Sequence, residues 1–345
     1  LCAPLFPNGW RKTFSLPIAG ILALCLVAAG LFAFQPHGVL QGQVTGGGNK
    51  LAAEDHATEW RAYGHTLAGT RFSQANQITP ENADKLEIAW TLSYYEPAAP
   101  VEGQLPATTP AAIEAAAECA QRIVMTTIDA RLIELDAKTG KLCSGFGTNG
   151  TVDLKQGMGE IKPGFYFQTS APTVAKDLVI VGGWVWDGVE TGEPSGAVRA
   201  FSASTGELVW AWDLGNPAIT KLPPAGQSYT RGTPNVWSTP AVDEGLGLVY
   251  LPTGNATPDF YGAHRSKAAH EYSASVVALD LATGRERWKF QTVHHDVWDY
   301  DVPSQPALYD VPDGKGGTVP ALIQVTQRGQ IFKYDRRDGT PNAEV

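Results

Sequence analysis

The sequence has few basic residues and no cluster of them. Its 345 residues include 26 Lys and Arg against 35 Asp and Glu, which gives a net charge of −9 at pH 7. A protein that binds nucleic acid needs Lys and Arg concentrated on one face to neutralise the phosphates. The lack of such a cluster excludes nucleic acid as the partner.

Charge is absent altogether from residues 14–34, a run of 21 residues. About 20 apolar residues in a helix cross the roughly 30 Å hydrocarbon core of a bilayer. The run is longer than the apolar core of a signal peptide, and no small-x-small cleavage site follows at once, so we predict a retained transmembrane helix. Arg11 and Lys12 precede the run. By the positive-inside rule, residues 1–13 are then cytoplasmic and the chain beyond the helix is periplasmic, in a bacterial inner membrane.

Cysteine is scarce, with four in the chain. Cys2 and Cys25 lie before and within the predicted span, whereas Cys119 and Cys143 lie in the exported part, where oxidation is permitted. A disulfide between Cys119 and Cys143 and two separate buried thiols are both compatible with the sequence, because it does not show how close their Cβ atoms come.

Glycine, proline and tryptophan are plentiful, with 37, 24 and 10 copies. Many turns and many large aromatic residues are typical of an all-β protein with short strands. Residues 35–57 are Gly-rich and polar without an apolar period, which indicates a linker, and residues 58–345 follow as one domain.

The exported part contains a repeat of a strand, a turn and a second strand. Its copies are ELDAKTGKLCSGF (134–146), AFSASTGELVWAW (200–212), ALDLATGRERWKF (278–290) and, less completely, KYDRRDGTPNAEV (333–345). Each turn has a Gly suited to positive φ, and Trp210 and Trp288 each follow their Gly by four residues. A preceding strand pair makes each unit about four strands, which predicts the blades of a β-propeller. A β-sandwich is the alternative, but it does not explain a recurring turn followed by Trp.

Residues 290–306, FQTVHHDVWDYDVPSQP, contain three carboxylates and two imidazoles within eight residues. In an extended segment, side chains alternate, so Asp299 and Asp301 would point to one side and Trp298 and Tyr300 to the other. Carboxylates presented in this way act as a general base or bind a hard cation. Loop capping is the plain alternative for an isolated pair of this kind.

This segment resembles the catalytic segment of the membrane-bound, PQQ-dependent (quinoprotein) glucose dehydrogenase family. The resemblance extends in order through EWRAYGHTLAGTRFSQANQITPENADKLEIAW (59–90), SAPTVAKDLVIVGG, RGTPNVWSTPAVDEGLGLVYLP and TQRGQIFKYDRRDG. It implies an eight-bladed propeller whose blades are docked by tryptophans. Four repeats would make about half of such a ring, and the alternative is a small ring of four or five blades.

The resemblance also assigns roles to individual residues. Asp299 corresponds to the aspartate that takes a proton from the substrate hydroxyl while hydride passes to PQQ. Trp237 matches the tryptophan on which the flat cofactor stacks. Thr169 and Ser170 are candidates to donate hydrogen bonds to its polar rim. At Gln327 the family has a Lys or Arg beside the quinone oxygens, so the positive charge is missing there.

The family holds a divalent cation, usually Ca²⁺ or Mg²⁺, against the quinone, where it acts as a Lewis acid. Asp187, Asn255 and Asp259 are the corresponding ligand candidates, since each supplies hard oxygen atoms. Turn capping is the alternative role for each of them.

The resemblance therefore predicts periplasmic oxidation of a sugar or polyol, with electrons passed to ubiquinone in the inner membrane. Glucose, other aldoses, quinate and polyols are all substrates within the family. Two alternatives remain at the level of sequence: a non-catalytic, membrane-tethered propeller scaffold, and an inactive fragment of such a dehydrogenase. A scaffold would have no reason to carry the HDVWD string together with Trp237.

Overall fold

The computed structural model describes residues 20–28, 66, 76–90, 119–313 and 316–344. Residues 20–28 form helix α1 and belong to a first unit, Leu1–Leu51, and the other described residues belong to a second unit, Ala52–Val345. Residues 1–13, the rest of the predicted span and the predicted linker lie outside the described residues. In the described part of the chain, no helix has the length and apolarity needed to cross a membrane.

The second unit is almost entirely β-structure, which confirms the predicted all-β class. Its strands are β1 (Arg122–Thr126), β2 (Arg131–Asp136), β3 (Thr151–Asp153), β4 (Tyr166–Phe167), β5 (Thr173–Ala175), β6 (Leu178–Val181), β7 (Trp184–Val185), β8 (Val198–Ser202), β9 (Leu208–Trp212), β10 (Ala241–Asp243), β11 (Leu248–Pro252), β12 (Ser275–Asp280), β13 (Glu286–Gln291), β14 (Ala307–Pro312), β15 (Thr318–Val325), β16 (Ile331–Asp335) and β17 (Pro341–Glu344). One short helix, α2 (Lys267–Tyr272), and two 3₁₀ turns, Ala83–Lys85 and Gly262–His264, accompany them.

The strands form consecutive antiparallel sheets in chain order. Three sheets have four strands, ordered β5-β6-β8-β9, β10-β11-β12-β13 and β14-β15-β16-β17; a sheet β1-β2-β3 precedes them, and β4 and β7 form a separate two-stranded ribbon. The first strand of the middle four-stranded sheet, β10, contacts the first strands of both neighbouring sheets, β5 and β14. This arrangement is that of propeller blades around a common axis, as the repeat predicts.

The hydrophobic core lies between adjacent sheets, in three clusters. The middle cluster joins Ile180 and Trp210 of one sheet to Val249 and Leu279 of the next. Because the blade that contains β11 packs against a neighbour on each face, this strand is apolar without alternation, and all five of its residues are buried.

The same type of hydrogen bond recurs in each of the four predicted turns. The amide of each turn Gly, at positions 140, 206, 284 and 339, donates to the carbonyl oxygen four residues earlier at 2.8–2.9 Å. All four glycines have φ between 68° and 76°, a conformation that costs other residues about 1–2 kcal/mol.

A tryptophan of one sheet docks on the turn Gly of the next sheet at two junctions. Trp210 lies against Gly284 and Trp288 lies against Gly339, and a Cβ built on either glycine would stand 2.5 Å from the indole. The indole nitrogens donate to the carbonyl oxygens of Leu281 (2.9 Å) and Arg336 (3.2 Å). Trp90 docks on Gly140 in the same way, with its indole nitrogen 3.3 Å from the Ala137 oxygen.

The junction at Gly206 has no docking tryptophan. The backbone of Gly147 covers Gly206 instead, and a Cβ on Gly206 would stand 2.7 Å from the Gly147 nitrogen. The corresponding carbonyl, of Ala203, accepts a 2.9 Å hydrogen bond from Arg122. A guanidinium therefore replaces an indole at this junction.

Cys119 and Cys143 form a disulfide, which resolves the alternative that the sequence leaves open. Both cysteines are buried in the first core cluster. The bond ties the start of the first sheet to the segment after its Gly140 turn.

Antiparallel strands reverse at each connection, so alternate connections lie at opposite edges of the sheets. The turns that carry the four glycines lie at one edge. In the four-stranded sheets, the connections between the second and third strands lie at the other edge, as do the connections from one sheet to the next. All the predicted site residues fall in this second group of connections, which we call the site face.

Candidate active site

Four long connections of the site face bring the candidate residues together. Residues 182–197 carry Asp187, residues 213–240 carry Trp237, residues 253–274 carry Asn255 and Asp259, and residues 292–306 carry Asp299. These connections follow the second and fourth strands of two neighbouring blades, so residues far apart in sequence meet at one end of the sheets.

Trp237 is fixed at both ends. Its indole nitrogen donates a 2.7 Å hydrogen bond to Oδ2 of Asp301, and its carbonyl oxygen accepts a hydrogen bond from the Thr169 hydroxyl at 2.8 Å. The hydroxyl of Ser170 donates to the same carbonyl oxygen. The side chain is half-buried, so a held indole remains partly open to solvent. A ring in this state can serve as a stacking surface.

The segment before Asp299 is a loop rather than an extended strand. His295 and Asp299 both have positive φ, 52° and 63°. Buried Asp296 accepts hydrogen bonds from the amides of Trp298 (2.9 Å) and Tyr300 (2.7 Å). The expected alternation along an extended segment is therefore wrong, although Asp299 and Asp301 do interact through their side chains. The hydrogen bonds to Asp296 hold the bend that brings the side chains of Asp299 and Asp301 together.

Two carboxyls of this loop, those of Asp299 and Asp301, are difficult to ionise. Burial, and then the neighbouring charge of Asp296, raises the pKa of Asp299 above its ordinary value. Burial, with Asp299 close by, raises the pKa of Asp301 to about 7. Perturbed carboxyls that share one cleft are typical of functional sites.

Asp187 and Asp259 lie beside these two aspartates. The side-chain amide of Asn235 donates a 2.8 Å hydrogen bond to Oδ2 of Asp187, and the amide of Asp259 donates to the carbonyl oxygen of Asp187 at 3.2 Å. Burial raises the pKa of both carboxyls, and for Asp259 the charges of Asp187, Asp299 and Asp301 add to the effect. The mutual repulsion shows that the four carboxyls occupy one region.

Asn255 connects the two acidic loops. Its amide donates to Oδ1 of Asp301, and its side-chain Nδ2 donates a 3.1 Å hydrogen bond to the carbonyl oxygen of Asp259. Its own Oδ1 accepts from the amide of Ala256 at 2.7 Å. Asn255 is fully buried and holds the loop geometry around the acids.

Arg265 is a second connector, which the sequence reasoning missed. Its guanidinium donates to the carbonyl oxygens of Pro258 and Asp259, at 2.9 and 2.6 Å, and to that of Asp296. One buried side chain therefore holds both the loop of Asp259 and the loop of Asp299.

Two further residues joined the site only in the structure. Asp301 accepts a hydrogen bond from the Trp237 indole, a contact that nothing in the sequence indicates. Asn235 precedes Trp237 by two residues and binds Asp187. The string TPNVW presents both Asn235 and Trp237, but nothing in it indicates that the amide reaches a carboxylate 48 residues earlier.

Gln327 lies in the short turn between β15 and β16, with an exposed side chain. This turn joins the second and third strands of its blade, so it is on the site face. No hydrogen bond in the described residues ties the Gln327 side chain to the acidic loops.

The acidic region offers several oxygen atoms that a hard divalent cation could use as ligands. Among the described residues, no three His, Cys, Asp or Glu side chains converge closely enough to hold a metal. Buried Oδ1 atoms of Asp259 and Asn235 nevertheless have no hydrogen-bond partner, and hard oxygens of this kind are what Ca²⁺ and Mg²⁺ prefer. The donors present fit such a cation if amide oxygens, water or cofactor atoms complete its ligands.

The chain is similar to known proteins over most of its length. Residues 60–115 and 106–345 match the family described as "PQQ: Glucose/ethanol/alcohol dehydrogenase, beta-propeller domain". The glycerol dehydrogenase large subunit of Gluconobacter oxydans (strain 621H) is 39% identical over 347 residues, which cover 84% of this chain and 46% of that protein. The quinoprotein glucose dehydrogenase of the same strain is 34% identical over 400 residues, covering 96% and 49%.

A solved structure supports the fold. The quinohemoprotein alcohol dehydrogenase of Comamonas testosteroni aligns with a TM-score of 0.57 at 24% identity, over 83% of this chain and 48% of that one. The consecutive four-stranded sheets, with an acidic loop cluster at one edge, define a propeller-type protein with a single-face site.

The chain belongs to the PQQ-dependent quinoprotein dehydrogenases of the glucose dehydrogenase type, a family of oxidoreductases. It spans about half the length of the curated relatives it matches.

Proposed function

We propose that this protein oxidises a hydroxyl group of a sugar or polyol of the glucose type, with PQQ and a divalent cation as cofactors. The hydrogen bond between Trp237 and Asp301 is the observation that carries the proposal. It joins a half-open indole surface to the loop that presents Asp299, which is the arrangement needed to place a flat cofactor beside a general base.

Asp299 is the proposed base. Its carboxylate takes the proton of the substrate hydroxyl as the carbon that bears it loses hydride. PQQ, when bound, supplies the electron-poor quinone that accepts the hydride. Burial raises the pKa of Asp299, which makes its carboxylate a stronger base than a solvated aspartate. The left-handed backbone at Asp299 and the hydrogen bonds of Asp296 hold that carboxylate in place.

Asp187, Asn255 and Asp259 are the proposed ligands of Ca²⁺ or Mg²⁺, and Asn235 joins them as a further oxygen donor. A cation in this region would relieve the mutual repulsion of the acids. Its charge would also polarise a bound carbonyl group.

Thr169, Ser170 and Gln327 are the proposed polar contacts of the cofactor. In the structure, the first two hydroxyls hold the carbonyl oxygen of Trp237, so they support the stacking surface as well. Gln327 would donate a hydrogen bond without bringing positive charge, so the reduced quinone would be less stabilised than beside a Lys or Arg.

The proposed setting is the periplasmic side of the bacterial inner membrane, with the apolar run 14–34 as anchor and ubiquinone as electron acceptor. The charge-free run and the basic pair before it support this orientation. The blades described here would form about half of an eight-bladed ring, a proposal supported by four repeats and by the half-length match to the relatives.

The test is to purify the chain, add PQQ with Ca²⁺, and follow dye reduction with a series of sugars and polyols. We expect PQQ to bind and turnover to follow, and Asp299→Asn to lose most of the turnover while PQQ stays bound. Asp177→Asn, which changes an exposed aspartate on the opposite face, is the matched control and should leave turnover unchanged. If PQQ does not bind at saturating Ca²⁺, the result contradicts the proposed function and favours the scaffold alternative.

A further inference from the structure

Arg265 binds the main chain at two separate places. Its guanidinium donates to the carbonyl oxygen of Pro258 from Nε (3.1 Å) and Nη2 (2.9 Å), and to that of Asp259 from Nη2 (2.6 Å). Its Nη1 donates to the carbonyl oxygen of Asp296. The side chain is buried, with 8% exposure. Because a guanidinium is planar and carries several donors, it can hold separate backbone segments at a fixed spacing. Arg265 therefore sets the distance between the loop of Asp259 and the loop of Asp299.

Asp296 passes this restraint to both neighbours of Asp299. Its carbonyl oxygen accepts from Arg265, and its carboxylate accepts from the amides of Trp298 (2.9 Å) and Tyr300 (2.7 Å). Between these two amides, Asp299 has a φ of 63°, a left-handed conformation that costs a residue other than Gly about 1–2 kcal/mol. Such a conformation persists where the surrounding structure holds it. The position of the Asp299 carboxyl therefore depends on where Asp296 is held.

On the other side, Arg265 binds the loop that carries two of the proposed cation ligands. The Asp259 carbonyl oxygen that accepts from Arg265 also accepts a 3.1 Å hydrogen bond from Nδ2 of Asn255. The Asp259 amide donates to the carbonyl oxygen of Asp187 at 3.2 Å. The backbone of Asp259 thus joins the three proposed ligands. A shift of this backbone on cation binding would move the carbonyl oxygen that Arg265 holds.

Asn255 also connects the two loops, but at a different point. Its amide donates to Oδ1 of Asp301, which is a side-chain contact two residues after Asp299. Arg265 instead binds the backbone of Asp296, three residues before Asp299, and Asp296 binds the amides on both sides of Asp299. Arg265 is therefore placed to set the base itself, whereas Asn255 is placed to set its acidic neighbour.

We propose that Arg265 is a positioning residue that couples the loop of the proposed cation ligands to the loop of the proposed base. It acts through backbone carbonyl oxygens and not on the reacting atoms. A cation that fixes the backbone of Asp259 orders Asp299 through Arg265 and Asp296. The ordered base loop favours the metal-bound arrangement in turn, because coupling between two sites is reciprocal. This inference rests on the proposed function, since it concerns how that site is assembled.

The test compares Arg265→Lys with the wild type. Lysine keeps the positive charge, but its single ammonium cannot span the carbonyl oxygens that a guanidinium holds with separate nitrogens. Arg199→Lys is the matched control. Arg199 is also buried, and it donates to the carbonyl oxygens of Leu154 (2.6 Å) and Gln156 (3.1 Å), which lie outside the four connections that carry the acids. Circular dichroism and urea unfolding establish that each variant is folded and measure its loss of stability.

Amide hydrogen exchange of the full chain, followed by mass spectrometry with and without Ca²⁺, measures the coupling. In the wild type, Ca²⁺ should slow exchange both in residues 255–259 and in residues 296–301. In metal-free Arg265→Lys, exchange in residues 296–301 should be about 10- to 100-fold faster than in the wild type, because hydrogen bonds from a charged donor are lost. Ca²⁺ should still slow exchange in residues 255–259 of this variant, but no longer in residues 296–301. Arg199→Lys should match the wild type in both segments.

Turnover of the PQQ-loaded protein gives a second measurement. Arg265→Lys should lower kcat by about 10- to 100-fold, the effect typical of losing a residue that orients the groups of a metal site. KM should stay nearly unchanged, because the residues proposed to contact the substrate and the cofactor are kept. A raised KM with an unchanged kcat contradicts the positioning role.

Exchange in residues 296–301 that is equally slow in Arg265→Lys and in the wild type overturns the proposal. Equal acceleration of this segment in Arg199→Lys also overturns it, because the effect would then be a general loss of stability. A further result needs no variant and decides the matter if Arg265→Lys does not fold. Ca²⁺ that slows exchange in residues 255–259 of the wild type and leaves residues 296–301 unchanged shows that the two loops are not coupled.

Binding of PQQ and Ca²⁺ by the wild type is scored separately, by isothermal titration calorimetry. If neither binds, the proposed function fails. Arg265 is then judged by exchange in the metal-free wild type and metal-free Arg265→Lys, where faster exchange in residues 296–301 of the variant supports its positioning role and equal exchange overturns it.

Discussion

The guanidinium of Arg122 donates a 2.9 Å hydrogen bond to the carbonyl oxygen of Ala203, the position that a docking indole occupies at the other blade junctions. The same guanidinium pairs with Glu134 at 2.6 Å. Glu134 is fully buried, and Arg122 is one-third exposed. This ion pair therefore occupies the position of a docking tryptophan at the junction between the first and second blades.

We expect Arg122→Ala to destabilise the protein by about 2 kcal/mol at pH 7, less than the loss of a fully buried pair because Arg122 is partly solvated. Arg131→Ala removes an exposed pair with Asp129 and should cost less than about 0.5 kcal/mol. Urea unfolding at pH 7 measures both. Equal losses in the two variants would contradict the role given to Arg122.

The deficit of Arg122→Ala should depend on pH. Burial already raises the pKa of Glu134 above its unfolded value, and removal of the cation raises it further. A raised folded pKa means stability that is present at low pH and lost as pH rises through that pKa. The deficit against the wild type should therefore be smaller at pH 5 than at pH 8. A deficit that grows on acidification would show that Glu134 is not the group left unpaired.

Trp288→Ala should cost about 3–5 kcal/mol, because it empties the interface between two blades and leaves Gly339 uncovered. Trp298→Ala changes the same residue type where it is 71% exposed, and should cost less than about 0.5 kcal/mol. Thermal unfolding of both variants measures the difference. A small loss at Trp288 would mean that the indole contributes little to the junction.

Comparison of Gly339→Ala with Gly226→Ala separates the effect of the close approach of the Trp288 indole from the effect of left-handed backbone strain. At Gly339, φ is +76° and the Trp288 indole leaves no room for a Cβ. At Gly226, φ is +79° and nothing lies within 4 Å of the added Cβ. Gly226→Ala should cost only the left-handed penalty of about 1–2 kcal/mol, and Gly339→Ala should cost about 1–3 kcal/mol more from overpacking. If the two variants lose similar free energies of unfolding, the Trp288 indole makes no steric contribution at Gly339.

The Cys119–Cys143 disulfide closes a loop with a sequence separation of 24 residues. A crosslink of this length contributes about 3 kcal/mol in the chain-entropy description. We expect reduction with dithiothreitol to lower the unfolding midpoint of the wild type and to leave a Cys119→Ala, Cys143→Ala double variant unchanged. Labelling of both thiols in non-reduced protein would show that the bond is absent.

The repeat, the turns and the docking tryptophans could be predicted from the sequence because each is a local pattern. A Gly in a tight turn and a Trp four residues later recur with recognisable neighbours. The junction at Gly206 could not be predicted, because Arg122 and Ala203 are 81 residues apart and Arg122 lies outside the repeat.

The candidate site likewise has residues that the sequence predicts and residues that it does not. Asp299 and Trp237 stand in recognisable strings, and the structure places both on the site face. The roles of Asp301, Asn235 and Arg265 depend on contacts between separate connections, and the left-handed backbone at Asp299 replaced the alternation that the sequence suggested. Contacts between connections that are distant in sequence produce no periodic pattern in the sequence.

The separation of the glycine turns from the site face has a practical consequence for attachment chemistry. A cysteine introduced at Ser204 or Thr205, both in the Gly206 turn, would lie at the edge opposite the acidic cluster. A fluorophore or solid support coupled there would leave the other edge facing the solution. The acidic cluster and the point of surface attachment would then lie at opposite ends of the same blades, so each can be changed without disturbing the other.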